Sequence, residues 1–186
     1  MKHFRYFGYV LRHKIFVWLA LFDIWKQNPL ALVLLWQGIT HDWSKFLPSE
    51  WGPYVDYFYG GPYPERNYGD ARNWWGDKWT QPWVQERFDM AWNYHQKRQP
   101  HHWQFWVLRE DDGEIKCLEM PERFVMEMIA DWRGAGRAIT GKDNTPQWYA
   151  KNRDKIMLHP KTREIVEWWL AYPVWGGEKN GSNADV

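Results

Sequence analysis

The chain has 186 residues, 24 Lys and Arg against 23 Asp and Glu, one Cys and 17 Trp. That length suits one domain with a proper core, and a net charge of +1 excludes a general polyanion-binding surface while leaving local basic patches open. The single cysteine, Cys117, excludes an internal disulfide framework and a Cys-rich zinc module.

Residues 3–24 read as a helix, with Tyr6, Val10, His13, Val17 and Ala20 on one stripe. Asn28-Pro29 opens a second helix that carries Leu30 to Ile39 and ends near His41-Asp42. Ser49 is positioned to cap a third through Tyr54 and Phe58. Residues 60–81, rich in Gly, Pro, Asn and Trp, read as a long loop whose aromatics suit stacking on a base. Pro82 starts a helix to about Lys97, and Pro100 breaks it. Asp111-Asp112-Gly113 predicts a hairpin between Phe105–Glu110 and Glu114–Met120. A helix from Pro121 passes Asp131 and is expected to stop at Gly134 and Gly136. Thr145-Pro146 and His159-Pro160 each read as a cap before proline, opening helices over 146–156 and 160–172. The expected fold class is mostly α: a single-domain helical bundle over 1–175 with one small β-hairpin. A disordered tail is expected over 176–186.

No membrane span is expected. The most apolar stretch, Ile15 to Trp36, is interrupted by Asp23, Lys26, Gln27, Asn28 and Pro29, so neither half reaches the roughly 18–20 apolar residues a span needs. No signal peptide is read at Met1-Lys2-His3-Phe4-Arg5, and one free cysteine suits a reducing cytoplasm, that of a host cell if the chain is phage-encoded.

The chemistry lies in the histidines. His13 sits on the apolar stripe of the first helix, and His41-Asp42 closes the second with Lys45 just beyond. His95 shares a face with Phe88, Ala91 and Trp92, and Asp131 shares one with Phe124 and Met128. Imidazoles and carboxylates aimed into a helical core are costly unless paired or metal-bound. A shared divalent ion, or two, accounts for several at once, and ligands without thiolate suit Mn, Fe, Co, Zn or Mg.

The order His13, His41-Asp42, His95, His101-His102, Asp131 resembles the HD superfamily of helical metal-dependent phosphohydrolases, and His41-Asp42-Trp43-Ser44-Lys45 is similar to its His-Asp-x-x-Lys form. The resemblance implies an HD-like helical domain with His13, His41, Asp42 and Asp131 as metal ligands and Asp42 as the bridge between two ions. It makes His95, His101 and His102 the candidates for the second ion, with one of the last pair free to contact substrate. The chain differs from two-metal members in how closely His101 follows His95. Pro100 permits the reversal this needs. A closer resemblance is to an uncharacterised family of small phage and bacterial proteins. It rests on Leu11-Arg12-His13-Lys14, on His41 through Glu50, on the stretch from His95 to Trp103, on Ala130-Asp131-Trp132-Arg133-Gly134-Ala135-Gly136-Arg137, and on His159-Pro160-Lys161-Thr162-Arg163.

The implied reaction is hydrolysis of a phosphoester, a nucleotide by preference, by a metal-activated water at Asp42. Lys45 stabilises a phosphoryl oxygen. Arg12, Lys14, Lys97, Arg98, Arg133 and Arg137 lie near the ligands in sequence and suit a phosphate. Backbone N–H groups of Gly134-Ala135-Gly136-Arg137 are a further anion candidate. Glu127 is expected to pair with Arg123 one turn back, and His3 and His159 to be structural. Two other classes stand beside this one: a di-iron HD-type oxygenase, and a non-catalytic phage accessory protein with a structural or vestigial metal site. Near-zero net charge disfavours nucleic acid as partner.

Overall fold

The structure, a computed structural model, describes residues 1–27, 32–60 and 82–171. The predicted tail 176–186, the helix opening at Pro29 and the predicted loop beyond Gly60 lie outside the described residues. In chain order the elements are α1 (Lys2–Gln27), α2 (Leu32–Thr40), α3 (Pro48–Tyr59), α4 (Pro82–Arg98), β1 (Val107–Arg109), β2 (Ile115–Cys117), α5 (Glu122–Thr140), α6 (Thr145–Asn152) and α7 (Pro160–Ala171). Short 3₁₀ turns lie at Trp43–Phe46, Trp103–Trp106 and Arg153–Lys155. The fold is mostly α with one two-stranded antiparallel hairpin. Among the described residues no helix is long and apolar enough to cross a membrane.

α1 is the axis of the bundle. Tyr6, Val10, His13, Val17 and Ala20 are all buried, as a stripe at spacings of three and four requires. α5 crosses α1 over its greatest length, and α2 and α3 flank it. The closest approach is at Gly134, where a Cβ would sit 2.4 Å from Val17 Cγ2 and 2.9 Å from the Val17 backbone nitrogen. This overturns the expected stop at Gly134 and Gly136. The helix continues to Thr140 and ends at Gly141, whose φ of 78° is the left-handed C-cap. Gly134 serves helix contact instead. The N–H groups of residues 134–137 therefore lie inside a helix, with no free face for an anion.

Other boundaries shift for local reasons. Leu47, not Ser49, occupies the cap of α3, because Pro48 takes the first helical position that its fixed φ suits. Asn144, not Thr145, caps α6, and the segment expected as helix to 156 ends in the 3₁₀ turn at Arg153–Lys155. His159 Nδ1 accepts the Lys161 N–H at 3.3 Å at the start of α7. The hairpin is shorter than expected, pairing Val107 with Cys117 through Arg109 with Ile115, since Trp103–Trp106 coils into a 3₁₀ turn first. Gly113, φ 89°, supplies the turn.

The core has two parts. Val17, Ala20, Leu21 and Ile24 of α1 pack with Val125, Met128 and Ile129 of α5 and with Val166 and Trp169 of α7. Tyr6 and Val10 pack with Tyr54 and Val55 of α3 and Ala91 of α4. The titratable residues lie between them.

Candidate metal centre

His13 and Asp131 meet where α1 and α5 cross, and His41-Asp42 follows α2. His95 comes from the end of α4, and His101 and His102 follow the turn made by Gln99 and Pro100. All but Asp131 are buried, and the Asp131 side chain is 13% exposed. Asp42 is the pivot. Its φ of 53° is the one left-handed value among the described non-glycine residues. Asp tolerates that conformation better than most residues, and strained backbone of this kind gathers at functional sites.

The two Asp42 oxygens face different clusters. Oδ2 lies 3.4 Å from His13 Nε2, 3.4 Å from His41 Nε2 and 2.5 Å from Lys45 Nζ. Asp131 Oδ1 closes that side, 3.1 Å from His13 Nε2 and 3.3 Å from His41 Nε2. Oδ1 lies 3.2 Å from His95 Nε2 and 3.5 Å from His101 Nε2. Two four-residue sets follow, His13/His41/Asp42/Asp131 and Asp42/His95/His101/His102, each with its ligand atoms within 4.8 Å of one another.

Two glutamates hold the rings. Glu127 Oε1 accepts the His41 Nδ1–H at 3.0 Å and lies 3.2 Å from His101 Nδ1, while Gln37 Nε2 donates to Glu127 Oε2 at 2.5 Å. Glu50 Oε2 accepts from His95 Nδ1 at 2.9 Å and from Ser44 Oγ at 3.0 Å, and Gln99 Nε2 donates to Ser44 Oγ at 3.0 Å. With Nδ1 engaged, each of the three rings turns Nε2 inward, the arrangement in which a carboxylate behind a histidine fixes tautomer and orientation. Sequence reasoning passed over Glu50 and misassigned Glu127, which faces two histidines rather than pairing with Arg123. The available signal was spacing: Glu127 lies one helical turn before Asp131 and so shares its inward face.

Burial and charge oppose each other here. Burial raises the Asp42 carboxyl, but His41, Lys45 and His95 hold it well below the ordinary carboxylate range. Burial likewise opposes ionised Asp131 and Glu127. His13 and His41 bring Asp131 well down, and His101 and His41 bring Glu127 to about 2. Burial disfavours a charged His101, yet Asp42 and Glu127 raise it to about 10. His102 is pushed well below its ordinary value by burial and then by His101 and His95. Without metal the centre therefore holds protons on His101 against its carboxylates. A divalent cation fits the same space: Nε2 of His95, His101 and His102 and Asp42 Oδ1 are buried without a hydrogen-bond partner. Nitrogen and oxygen donors without thiolate suit Mn, Fe, Co, Zn or Mg.

The basic residues are placed differently. Lys14 donates to the carbonyls of Ile39 and His41, closing the end of α2. Arg133 is buried on Asp143 at 2.8 Å, and Arg137 lies 3.7 Å from the same carboxylate. Lys97 donates to Gln104 O at 2.8 Å. Arg98 reaches Ser49 Oγ and Glu50 Oε1 at 3.4 and 3.5 Å, behind His95. Arg12 is exposed on α1. Lys45 alone of the predicted cations touches the side chain of a ligand of the centre.

Fold and centre together define a small, mostly helical protein with a buried double cluster of histidines and carboxylates bridged by one aspartate. The model of a family of unknown function, DUF5662, matches residues 2–171, and the chain belongs to that family. No curated protein and no solved structure matches the chain.

Proposed function

We propose that this chain is an HD-like metal-dependent phosphohydrolase acting on a small phosphoester, a nucleotide by preference. The observation that carries the reading is the division of Asp42, with Oδ2 toward His13 and His41 and Oδ1 toward His95 and His101, in the two clusters that Asp131 and His102 complete. Those residues would hold one or two divalent ions. A divalent ion bound there supplies a water acidic enough to act as nucleophile near neutral pH. The chain's own groups do the rest. Glu50 and Glu127 keep the imidazoles aimed, Asp42 carries the negative charge between the clusters, and Lys45 offers ammonium N–H groups to a phosphoryl oxygen.

A second reading, a di-iron HD-type oxygenase, is favoured by the basic residues that turn away. Lys14, Arg133 and Arg137 are committed to carbonyls or to Asp143, so Lys45 carries the phosphate argument nearly alone.

Elemental mass spectrometry of the purified protein, beside Asp42→Ala, tests both. One or two equivalents of Mn, Co, Zn or Mg, lost in the variant, with turnover on a phosphoester panel, is the expected result. Iron with visible absorption and no phosphoester turnover favours the oxygenase. A folded protein that takes up no metal overturns both and leaves a non-catalytic binding protein.

A further inference from the structure

Lys45 and its surroundings hold more donors than the fold uses. The ammonium is buried and carries three N–H groups. Among the described residues Asp42 Oδ2 is its one ion-pair partner. Within its electrostatic reach are two buried phenols, Tyr6 and Tyr54, whose hydroxyls have no hydrogen-bond partner. The two rings touch, with centroids 6.1 Å apart, and Tyr54 stands edge-on to His95 at 6.3 Å. After burial, Lys45 is the group that acts most strongly on both hydroxyls. Packing does not call for these oxygens, since Phe58 and Phe88 fill the same aromatic cluster with plain rings. A buried hydroxyl without a partner destabilises a fold, so two of them within reach of an under-used ammonium mark a place where the partner comes from outside.

We propose that Lys45, Tyr6 and Tyr54 form an oxyanion subsite beside Asp42 that takes the phosphoryl group of the substrate. The proposal rests on the phosphohydrolase reading and deepens it. The subsite offers an ammonium and two O–H donors, which matches an acceptor-rich tetrahedral anion. Tyr9, stacked on His13 at 6.1 Å and also acted on by Lys45, stands on the neighbouring side.

The test is calorimetric titration of the protein as purified with inorganic phosphate, using wild type, Tyr6→Phe and Tyr54→Phe. Metal content and Tm are measured on each. The subsite predicts phosphate affinity down about ten-fold per hydroxyl, the usual scale of one lost hydrogen bond to a charged group. Metal content stays unchanged, and Tm in the absence of phosphate is equal or higher, because an unpaired buried hydroxyl has gone. Variants that bind phosphate like wild type overturn the subsite and leave the phosphohydrolase reading standing. Wild type that binds no phosphate overturns both. Variants that lose phosphate together with metal and Tm assign the hydroxyls to the fold and overturn the subsite.

A separate observation carries a second inference. The outer stripe of α1 and the adjoining surface of α2 and the Trp43–Phe46 turn are apolar and exposed. Phe4 is 82% exposed, Trp36 64%, and Leu11, Ile15, Ile39 and Trp43 between 48 and 61%. The stretch is continuous: Phe7 meets Phe46, and Gly38 abuts Trp18. At about 150–250 Å² per large side chain, these fractions leave roughly 700 Å² in water. That exceeds the roughly 300–600 Å² of a typical monomer's largest patch and approaches the ~800 Å² each partner gives to a standard interface. A recess of about 490 Å³ lined by Phe46, Pro48, Trp51 and Gly52 adjoins the projecting rings. Most cations of α1 are already engaged, Lys2 with Asp56, Lys26 with Asp23, Lys14 on the carbonyls of Ile39 and His41 and Arg5 over the Tyr59 ring, and the exposed Arg12 is a single charge to set against an anionic lipid surface.

We infer that this face binds a second copy of the chain in a two-fold dimer, in which each recess receives the partner's projecting rings. Sedimentation at micromolar concentration is expected to give twice the 22.7 kDa chain mass. Ile15→Lys with Trp36→Lys is expected to halve it with metal content unchanged. A wild-type monomer overturns the inference, as does a monomer that sediments with anionic vesicles, which assigns the face to a membrane surface.

Discussion

α1 runs through two regions that are equally buried and energetically opposite. Toward its C-terminus Val17, Ala20, Leu21 and Ile24 meet aliphatic and Met side chains of α5 and the Val166 and Trp169 side chains of α7. Removing that surface from water is favourable without further conditions. Toward its N-terminus the same helix presents Tyr6 and His13 to phenols, imidazoles and carboxylates. There burial is unfavourable, and only mutual pairing recovers it. The comparison teaches a division of labour. The aliphatic half fixes the crossing of α1 and α5, and that crossing holds His13 against Asp131 whether or not their own contacts stabilise anything.

The sharpest way to break this contrast is to weaken the aliphatic half alone. Ile129→Ala, in the fully buried part of α5, is expected to lower stability by about 2–5 kcal/mol through lost burial and a residual cavity. Urea unfolding measures it, and metal uptake by the fraction still folded is expected to be unchanged. Gly134→Ala tests the crossing itself. The new methyl meets the Val17 backbone, which cannot step aside as a side-chain tip does, so about 1–3 kcal/mol is expected, with metal affinity falling as the helices part.

The two halves also differ in how they answer pH. In the metal-free protein Glu127 is held at about 2 against an ordinary 4.5, so its contribution is complete above about 4.5 and lost as pH falls toward 2. His101 is raised from 6.5 to about 10, so its contribution is complete below about 6.5 and lost as pH rises through 10. Urea midpoints are therefore expected to be highest between these limits. The Ile129→Ala loss is expected to stay constant across the range, because nothing in it titrates. Metal loading changes the alkaline side. A ligating imidazole must be neutral, so metal uptake releases protons and tightens as pH rises from 6.5. Calorimetry in buffers of different ionisation enthalpy reads that release.

The regions also differ in how much of them the sequence makes legible. The aliphatic half follows from periodicity alone, because apolar residues at helical spacing have one place to go. The order of His13, His41-Asp42, His95, His101-His102 and Asp131 is legible as well, and the structure gathers those residues around one carboxylate. Their supports are not. Glu127 looks like the partner of Arg123 because a helix shows only its own neighbours at three and four residues, while the partners it meets belong to other parts of the chain. Arg133 and Arg137 look like phosphate readers because they follow Asp131. They turn instead to Asp143, which pairs with both. Gly134 looks like a stop because the sequence cannot say that a second helix passes there. Nearness along the chain identifies candidates; which face each turns to is decided by packing.

Glu127 is where the two halves can be separated with the smallest change. Gln at this position keeps the size and one carbonyl acceptor but removes the charge. The aliphatic contacts of α5 are untouched, so little change in Tm is expected. The polar side loses the carboxylate that accepts from His41 and from Gln37 and faces His101. Removing such a carboxylate from behind a metal-bound histidine typically lowers metal affinity 10–100-fold, and that is the loss expected of Glu127→Gln. The variant should also carry the alkaline limb of the metal-free stability profile toward neutral pH, since Asp42 alone then holds the His101 proton. A Glu127→Gln protein that keeps wild-type metal affinity, and whose alkaline limb does not move, would show that crowding rather than the carboxylate orients the rings. The polar half would then be held by the same packing as the aliphatic one, and the division between them would lie in chemistry alone.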